Sequence, residues 1–583
     1  MSSPVLSFPL ADQQQWQDLV TKALKGVAPD SLHHLDEDGL DIAALYQIDA
    51  VSPAASDQVP VHRLTAHPAQ RLAYGWRVCQ PVETDAAPET VNAAILDELA
   101  GGATGIYLNL GSAAATQLEQ MLHDVVLGAA DIVLDAGPHV GDALAVFAKM
   151  ARGQGKNLSD ISLDLAIDPF APQADAALLA EGLHLMGGAG DADITDGVFR
   201  LNGWQWHNHG LSQVQELAYL LAAATQIFRS GTEAGLPAEL IARKTSMSVA
   251  LPADMFDGIA KCRALRRGWA GLVTALGLRA DSYPLHLQAL PSMRMFSLAD
   301  ADMNIMRTTT ALLGGAMGGA DMMTAYAHDA LTGGSAMGRR LARMQQIMMI
   351  EESGLGRSLD AAGGAAFIEA RTEALAAAAW AGFQGIEAAG GAAVAQAEQR
   401  FAAMAEAAAR RRDQQLAQGK LPLLGITVQP DSKPVGDLAP RWQMIARPAA
   451  VIEAIRRQSA KTPPRILILQ QGDAADPRRE AIRRVLRIGG MSAVHLTLPL
   501  APVDAVTVDA VTVDAVTVDA VRVARPAIVV LLDLKIDRLD PQVREQLDHS
   551  ILLGGIFEAD DILPDTAQIA WLIKLADMTK DLD

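Results

Sequence analysis

Between residues 70 and 330, two kinds of segment follow each other repeatedly along the chain. Short apolar runs of strand character are each followed by a longer segment with the 3.6-residue period of a helix. The runs predicted as strands are 75–80, 105–110, 132–135, 162–167, 198–203, 246–250, 285–290 and 320–324. Helices such as 211–229 and 255–276 lie between them. Eight strand-then-helix units close a parallel sheet, so the pattern predicts an α/β fold with a (β/α)8 TIM barrel; an open doubly wound sheet is the alternative.

A barrel of this kind presents its reactive side chains where the strands end. Those C-terminal ends meet at one mouth of the barrel. Functional positions are therefore expected near Gln80, Gly203 and Leu290.

The remainder of the chain divides by composition. Residues 363–419 are rich in helix formers and predict packing helices, whereas 421–464 contain seven prolines, which is typical of a linker. Beyond it, a strand over 465–470, a helix over 476–488 and a strand over 527–533 predict a small parallel α/β module. The predicted domains are a partner-contacting segment 1–70, a barrel 71–400, a helical and Pro-rich linker 401–464 and the module 465–583.

A repeat interrupts that last module. Over 503–521 the unit Val-Asp-Ala-Val-Thr recurs every five residues. Neither a strand nor a helix keeps positions five apart on one face, so the repeat is interpreted as a low-complexity insert in an irregular or extended loop.

Charge and composition exclude several classes of protein. There are 48 basic and 68 acidic residues, and the resulting net charge of −20 argues against nucleic-acid binding. Half of the residues are apolar, which indicates a globular chain. Two cysteines cannot form a disulfide framework, which favours a reducing compartment. Residues 1–15 do not resemble a secretory signal and no apolar stretch reaches the ~18 residues of a membrane span, so a cytoplasmic protein is expected.

Motifs for nucleotide or calcium binding are weak. The sequence contains neither a Walker-type phosphate loop nor a glycine fingerprint after a strand. Residues 314–319 are glycine-rich with the wrong spacing and are interpreted as a βα turn that needs close backbone approach. Asp191, Asp193 and Asp196 faintly suggest a calcium loop, but Asn202 stands where the loop requires glutamate, so a solvated turn is favoured.

Two further candidates are considered for metal binding and catalysis. His207 and His209 would share a face if their segment were a strand, yet two ligands do not make a site, and a hydrogen-bonded surface pair is the preferred interpretation. Cys79, at a strand end, could be a nucleophile, but a small buried hydrophobic residue is the favoured interpretation. The residues alone predict no catalytic constellation and no metal site.

Several segments in order resemble the cobalamin-dependent acyl-CoA mutases, the methylmalonyl-CoA mutase family. They are 38–41 (Asp-Gly-Leu-Asp), Leu45-Tyr46, 260–269, 304–307, 340–346, 351–354, 363–364 and 408–411. The resemblance spans nearly the whole chain. It implies an eight-stranded barrel that encloses a CoA ester, joined by a linker to a flavodoxin-like cobalamin domain.

The resemblance breaks where the family binds cobalt. Active members carry Asp-x-His-x-x-Gly after the first strand of the cobalamin domain, and the histidine is the lower axial ligand. The equivalent stretch here is 472–479, Gly-Asp-Ala-Ala-Asp-Pro-Arg-Arg, and the chain has no histidine between His328 and His495. A carboxylate or a methyl group does not replace a neutral imidazole on cobalt. Pro477 also fixes φ where the family loop wraps the cofactor.

The barrel has lost the family's functional groups in parallel. By resemblance, Pro81 stands at the catalytic tyrosine, Gln205 at the substrate-contacting histidine, and Gln288 and Leu290 at an arginine and a histidine. A proline offers no hydroxyl, an amide is no general acid near neutral pH, and the cation that would pair with a substrate carboxylate is gone.

The resemblance therefore implies a non-catalytic small subunit of a heterodimer. Its large catalytic partner would carry adenosylcobalamin and interconvert (R)-methylmalonyl-CoA and succinyl-CoA, while this chain binds no cofactor and supplies an interface above ~2,000 Å². Two alternatives remain: an active mutase with altered cobalamin binding, or a CoA-ester-binding regulatory module in which Gln205 and Gln288 contact the ester.

Overall fold

Eight parallel strands form a closed barrel in chain order. The computed structural model describes residues 13–46, 66, 68–111, 115–175, 177–188, 197–430, 433, 435–461, 463, 466–471, 477–491, 493–498, 528–532 and 551–553. After the two-residue strands β1 (His34–Leu35) and β2 (Asp41–Ile42), the barrel strands are β3 (Arg77–Glu83), β4 (Gly105–Asn109), β5 (Asp131–Asp135), β6 (Leu163–Ile167), β7 (Gly197–Asn202), β8 (Thr245–Leu251), β9 (His286–Pro291) and β10 (Met322–Met323). Each strand pairs with the next, and β10 pairs with β3. The predicted barrel is confirmed and the open sheet is excluded.

Helices surround the barrel and alternate with its strands. Helix α1 (Gln13–Ala23) precedes them in the chain. The helices around the barrel are α2 (Pro68–Tyr74), α3 (Pro88–Ala100), α4 (Leu118–Met121), α5 (Val140–Gly153), α6 (Leu178–Met186), α7 (Gly203–His209), α8 (Gln213–Glu233), α9 (Ala238–Lys244), α10 (Met255–Ala275), α11 (Met303–Met317) and α12 (Ala336–Glu351). Local sequence fixes where they begin. Ser212 and Gln215 form a capping box at the start of α8, and the Asp254 carboxylate accepts from the first backbone N–H groups of α10.

The alanine-rich region beyond the barrel is helical, as predicted. It forms α13 (Ala366–Ala388), α14 (Gly391–Ala397) and α15 (Arg400–Ala417). α13 packs against α8 and α10. These helices therefore thicken the outer layer of the barrel rather than forming a separate unit.

The turn between β1 and β2 is bound to the outside of the barrel by acidic side chains. Asp36 pairs with Arg371 of α13 at 2.6 Å. Glu37 lies 3.4 Å from Arg294 and 3.2 Å from Arg412, and Asp38 accepts from the Ser212 hydroxyl. The described part of segment 1–70 therefore contacts this chain's own barrel; contact with a partner stays a prediction.

The Pro-rich linker is only partly irregular. Its proline-free stretch forms α16 (Ala449–Lys461), which the composition argument missed because the prolines lie on either side of it. Ile452 and Ile455 of α16 are buried in one core with Ile466 and Ile482 of the C-terminal module. The linker therefore ends in a helix that packs on the module.

The C-terminal module has the strand order of a flavodoxin-like fold. Its strands β11 (Ile466–Gln471), β12 (Ala493–Leu498), β13 (Ile528–Leu532) and β14 (Ile551–Leu553) form a parallel sheet in the order β12-β11-β13-β14, and α17 (Pro477–Ile488) connects the first two. The predicted parallel module is confirmed for these elements. The 503–521 repeat lies outside the described residues.

Candidate functional site

A cavity of about 710 Å³ lies over the C-terminal ends of the barrel strands. Tyr107 of β4, Asp135 at the end of β5 and Asn202 at the end of β7 line it, together with Asp168 directly after β6. Because parallel strands end at the same edge, residues distant in sequence meet here. The cavity occupies the place where barrels of this kind bind their ligands.

Two carboxyl groups of the cavity wall sit in an unfavourable environment for charge. Burial raises the pKa of Asp168 to about 6, although its Oδ2 accepts from the Asn202 N–H and the Tyr219 hydroxyl, each at 2.7 Å. Burial likewise raises the pKa of Asp135, whose Oδ2 accepts from the Tyr107 hydroxyl at 3.0 Å. Asp168 is buried and Asp135 is half-buried, and a positive charge in the cavity would favour the ionised forms of both.

Three aromatic rings form one wall of the cavity. Trp204 and Tyr326 are stacked with centroids 5.6 Å apart, and Trp442 meets Tyr326 edge-on at 5.1 Å. The two indole N–H groups are satisfied by backbone carbonyls, Trp204 by Pro291 at 2.9 Å and Trp442 by Ala330 at 2.7 Å. This wall, named the aromatic wall below, is therefore held in place by hydrogen bonds at its edges.

The linker covers the mouth of the barrel. Arg441 forms an ion pair with Glu83 at the end of β3 and lies 3.7 Å from Asp85. Ala446 donates its N–H to the Asn208 carbonyl at 2.8 Å. Access to the cavity is therefore restricted by a segment of the chain that follows the barrel in sequence.

Below the cavity, the barrel interior is filled by a polar network around Arg200. The Arg200 Nε donates to Asp164 at 3.1 Å, and the guanidinium also donates to Gln288, whose amide nitrogen donates to Thr324 at 2.7 Å. Ser246 donates to Asp164 at 3.2 Å. Burial opposes both charges, but each partner favours the other, so the pKa of Asp164 is lowered and that of Arg200 is raised.

The four positions that the resemblance singled out are not brought together. Pro81 is buried on β3 on the face of Cys79, and Leu290 is buried in an apolar cluster with Trp204. Gln205 lines the cavity, whereas Gln288 lies deeper and is engaged by Arg200. The two glutamines that motivated the CoA-ester hypothesis thus do not face a common ligand position.

The strand-end positions expected from the barrel pattern are only partly functional. Gln80 points outward to the helix layer, where its amide lies 3.4 Å from Glu98, because side chains alternate along a strand and Cys79 faces inward. Gly203 begins α7 beside the cavity, and an added Cβ there would meet Leu220 and the Ser248 carbonyl. Gln80 itself therefore does not face the cavity, although Glu83 at the end of the same strand lines it. Gly203 allows the close approach that places Trp204 and Gln205.

The prediction that His207 and His209 share one face of a strand and form a surface pair is wrong. His207 and His209 lie in helix α7, so residues two apart point in different directions. His207 is buried, with Nε2 3.0 Å from the Ser292 hydroxyl and Nδ1 2.9 Å from Glu216, and burial lowers its pKa well below the usual value. His209 lines the cavity. His207 is therefore a neutral, hydrogen-bonded core histidine rather than one member of a surface pair.

Cys79 behaves as a buried apolar residue. It lies fully buried among Tyr107, Val133 and Met322 in the barrel interior. Burial raises the pKa of its thiol to about 12, and burial raises that of Cys262 to about 11. A thiol that does not ionise is no nucleophile.

We expect both thiols to resist labelling in the folded protein. The raised pKa values lower the thiolate fraction of Cys79 by about a thousandfold relative to an ordinary cysteine, before burial blocks access. Titration with a disulfide reagent at pH 8 should show no rapidly reacting thiol in the native chain and both thiols in denaturant. Stoichiometric labelling of the native chain within seconds would contradict this burial.

The remaining motifs have structural roles or lie outside the described residues. Gly314 and Gly315 belong to helix α11 rather than to a βα turn, but the close approach is confirmed, since a Cβ on Gly314 would lie 3.2 Å from Gly258 of α10. Asp191, Asp193 and Asp196 lie outside the described residues, as does 472–476 of the altered cobalamin motif. Pro477 begins α17.

Sequence reasoning missed the acidic and aromatic residues of the cavity. Asp135 and Asp168 stand at or just after predicted strands, so the strand-end rule could have found them. Trp442 and Arg441 carried no such signal, because they are distant in sequence and reach the mouth only through the path of the linker.

Neither a metal-binding cluster nor a membrane-spanning helix is found among the described residues. They contain no group of three or more histidine, cysteine or acidic side chains arranged to hold a metal ion. Among their helices, none combines the length and apolar character needed to cross a membrane.

Comparison with known proteins points to one family. The family model described as methylmalonyl-CoA mutase matches residues 198–459. The chain is 33% identical to the "Probable methylmalonyl-CoA mutase small subunit" of Mycobacterium tuberculosis, covering 78% of this chain and 77% of that protein. It is 31% identical to the "Methylmalonyl-CoA mutase small subunit" of Streptomyces virginiae, covering 78% of this chain and 76% of that protein. The "Methylmalonyl-CoA mutase large subunit" of the same organism is 32% identical over only 39% of this chain and 31% of its own length. The chain belongs to the methylmalonyl-CoA mutase family.

Proposed function

We propose that this chain is the non-catalytic small subunit of a heterodimeric methylmalonyl-CoA mutase located in the cytoplasm. Its partner, the large subunit, would carry adenosylcobalamin and interconvert (R)-methylmalonyl-CoA and succinyl-CoA. Relatives named as small subunits match over about three quarters of their length, which supports the role of a mutase subunit.

The observation that carries the proposal is the filled barrel interior. In this family the barrel is expected to enclose the CoA ester. Here Arg200, Asp164 and Gln288 are all buried and bonded to one another across that space. A chain of buried hydrogen bonds around an ion pair is costly to open, so the ester has no path along the barrel axis.

The charge of the cavity also opposes an acyl-CoA. Five of its lining residues are acidic, and Arg441 is the one lysine or arginine among them. Arg441 is already paired with Glu83 and lies near Asp85. The carboxylate and phosphates of the substrate would thus meet like charges, and no unpaired cation of the described lining would compensate them.

The residues of the C-terminal module do not fit cobalamin with a histidine ligand. No histidine occurs between His328 and His495, a range that contains the whole first βα unit of the module. The helix that follows β11 begins with Pro477. No chemical step is therefore assigned to a cofactor on this chain.

We expect the chain to form a one-to-one complex with the large subunit. Each subunit would stabilise the folded form of the other by mass action, as in obligate dimers. Co-expression with the large subunit, affinity purification through a tag on one chain and size-exclusion chromatography should recover both in equal amounts. A chain that elutes alone at micromolar concentration of both subunits would contradict the proposed assembly.

A further inference from the structure

We propose that the cavity at the barrel mouth binds a small organic ammonium compound that also carries an oxygen acceptor. Its cationic group would lie against the carboxylates of Asp135 and Asp168 and the aromatic wall. Its oxygen would accept from the side chain of Asn208. Because the described lining residues all belong to this chain, we expect the chain to bind this ligand in the absence of the large subunit.

The first support is the imbalance of charge. Glu83 and Asp85 share Arg441, but Asp135 and Asp168 have no ion pair with a described residue. The groups that donate hydrogen bonds to them are neutral. The side chains of Tyr107 and Asn109 donate to Asp135. The Tyr219 hydroxyl and the backbone N–H groups of Phe170 and Asn202 donate to Asp168. A cation in the cavity would supply the missing counter-charge in a region where water screens weakly.

The second support is the aromatic wall. Trp204 and Trp442 are buried and Tyr326 connects them, so three rings border the same space as the two carboxylates. The Arg441 guanidinium already lies 5.2 Å from the centroid of the Trp442 ring, which shows that a cation is accommodated at this wall. The faces of aromatic rings attract cations, tryptophan most strongly, and cages of such rings recognise quaternary ammonium groups. Wall and carboxylates together thus favour an alkylated ammonium ion over a hydrated metal ion.

The third support is an unsatisfied, buried donor on Asn208, a residue that lines the cavity. Asn208 is 2% exposed, and its Oδ1 accepts from the Arg294 N–H at 3.0 Å. Within the part of the chain that the structure describes, its Nδ2 has no hydrogen-bond partner. A buried amide N–H₂ without an acceptor is costly, so a hydroxyl or carbonyl oxygen of the ligand would satisfy it.

Choline and its neutral isostere 3,3-dimethylbutan-1-ol provide the test. The two have nearly the same shape and hydroxyl group and differ by one positive charge. Titration of the full-length chain, followed by calorimetry and by tryptophan fluorescence, should show choline binding with a Kd below about 1 mM. The alcohol should bind at least about tenfold more weakly, because the cation–π and charge terms are lost. CoA should not bind at all.

Asp135→Asn removes the charge but keeps an oxygen that can accept from Tyr107, and it should weaken choline binding at least about fivefold. Trp442→Leu should weaken choline more than it weakens the alcohol. The control is Asp124→Asn, the same change on an exposed side chain outside the cavity, which should leave binding unchanged. Circular dichroism establishes that each variant is folded.

Three outcomes would overturn the proposal. They are absence of choline binding at millimolar concentration, equal binding of choline and the alcohol, and undiminished choline binding by folded Asp135→Asn. Binding of CoA would separately contradict the argument that the charge of the cavity opposes an acyl-CoA, and would favour the CoA-ester-binding regulatory module instead.

Discussion

Replacing Arg200 with methionine is expected to lower the free energy of unfolding by about 3 to 5 kcal/mol. The substitution keeps most of the side-chain volume but removes the cation from the barrel interior. Asp164 would then be a buried carboxylate whose remaining partners are neutral, among them Ser246. Gln288 would also lose its donor at the barrel axis. Chemical denaturation followed by far-ultraviolet circular dichroism measures the change.

The matched control is Arg410→Met. Arg410 pairs with Glu406 one helical turn away on the surface, so its loss should cost less than about 1 kcal/mol. In the double variant Arg200→Met with Asp164→Asn, removal of the unpaired charge should recover part of the loss. Equal stabilities of Arg200→Met and Arg410→Met would show that the interior network does not contribute as described.

Replacing Lys261 with methionine is also expected to lower the free energy of unfolding by about 3 to 5 kcal/mol. Lys261 is fully buried between α8 and the barrel, where Nζ pairs with Glu216 and donates to the Ala250 carbonyl at 2.7 Å. Burial raises the pKa of Glu216, and Lys261 opposes that shift. The variant leaves the Glu216 carboxylate unpaired beside the neutral ring of His207.

Lys149→Met is the control for this pair. Lys149 lies 3.1 Å from Glu119, and both side chains are more than half exposed. The substitution should therefore lower the free energy of unfolding by less than about 1 kcal/mol. Glu216→Gln added to Lys261→Met should restore stability in part, because the amide needs no counter-charge. A Lys261→Met variant as stable as the control would contradict the structural role assigned to this buried pair.

The barrel could be predicted from sequence because each of its strands left a local signal. A strand buried on both faces is a short apolar run, and a helix between strands shows its own period, so each strand could be located independently. The shortest barrel strand, Met322–Met323, was predicted as the longer run 320–324. Asp321 and Thr324 on either side of it still donate backbone hydrogen bonds to β9, so the difference concerns only where the strand ends. The proline-free helix α16 was missed since composition was averaged over the whole linker.

The cavity could not be predicted to the same extent. Burial of Asp168, engagement of Gln288 by Arg200 and the placement of Trp442 over the mouth depend on residues that meet only in the folded chain. The outward orientation of the Gln80 side chain follows from the register of its strand, and a register that differs by one residue would turn the side chain into the barrel. Sequence pattern thus identified the end of the barrel that holds the cavity, but not its chemistry.

The most direct test of the non-catalytic role is turnover by the separated subunit. The purified chain, supplied with adenosylcobalamin and (R)-methylmalonyl-CoA, should form no succinyl-CoA, whereas its complex with the large subunit should form it at once. Formation of succinyl-CoA by the chain alone, at a rate proportional to its concentration, would contradict the account.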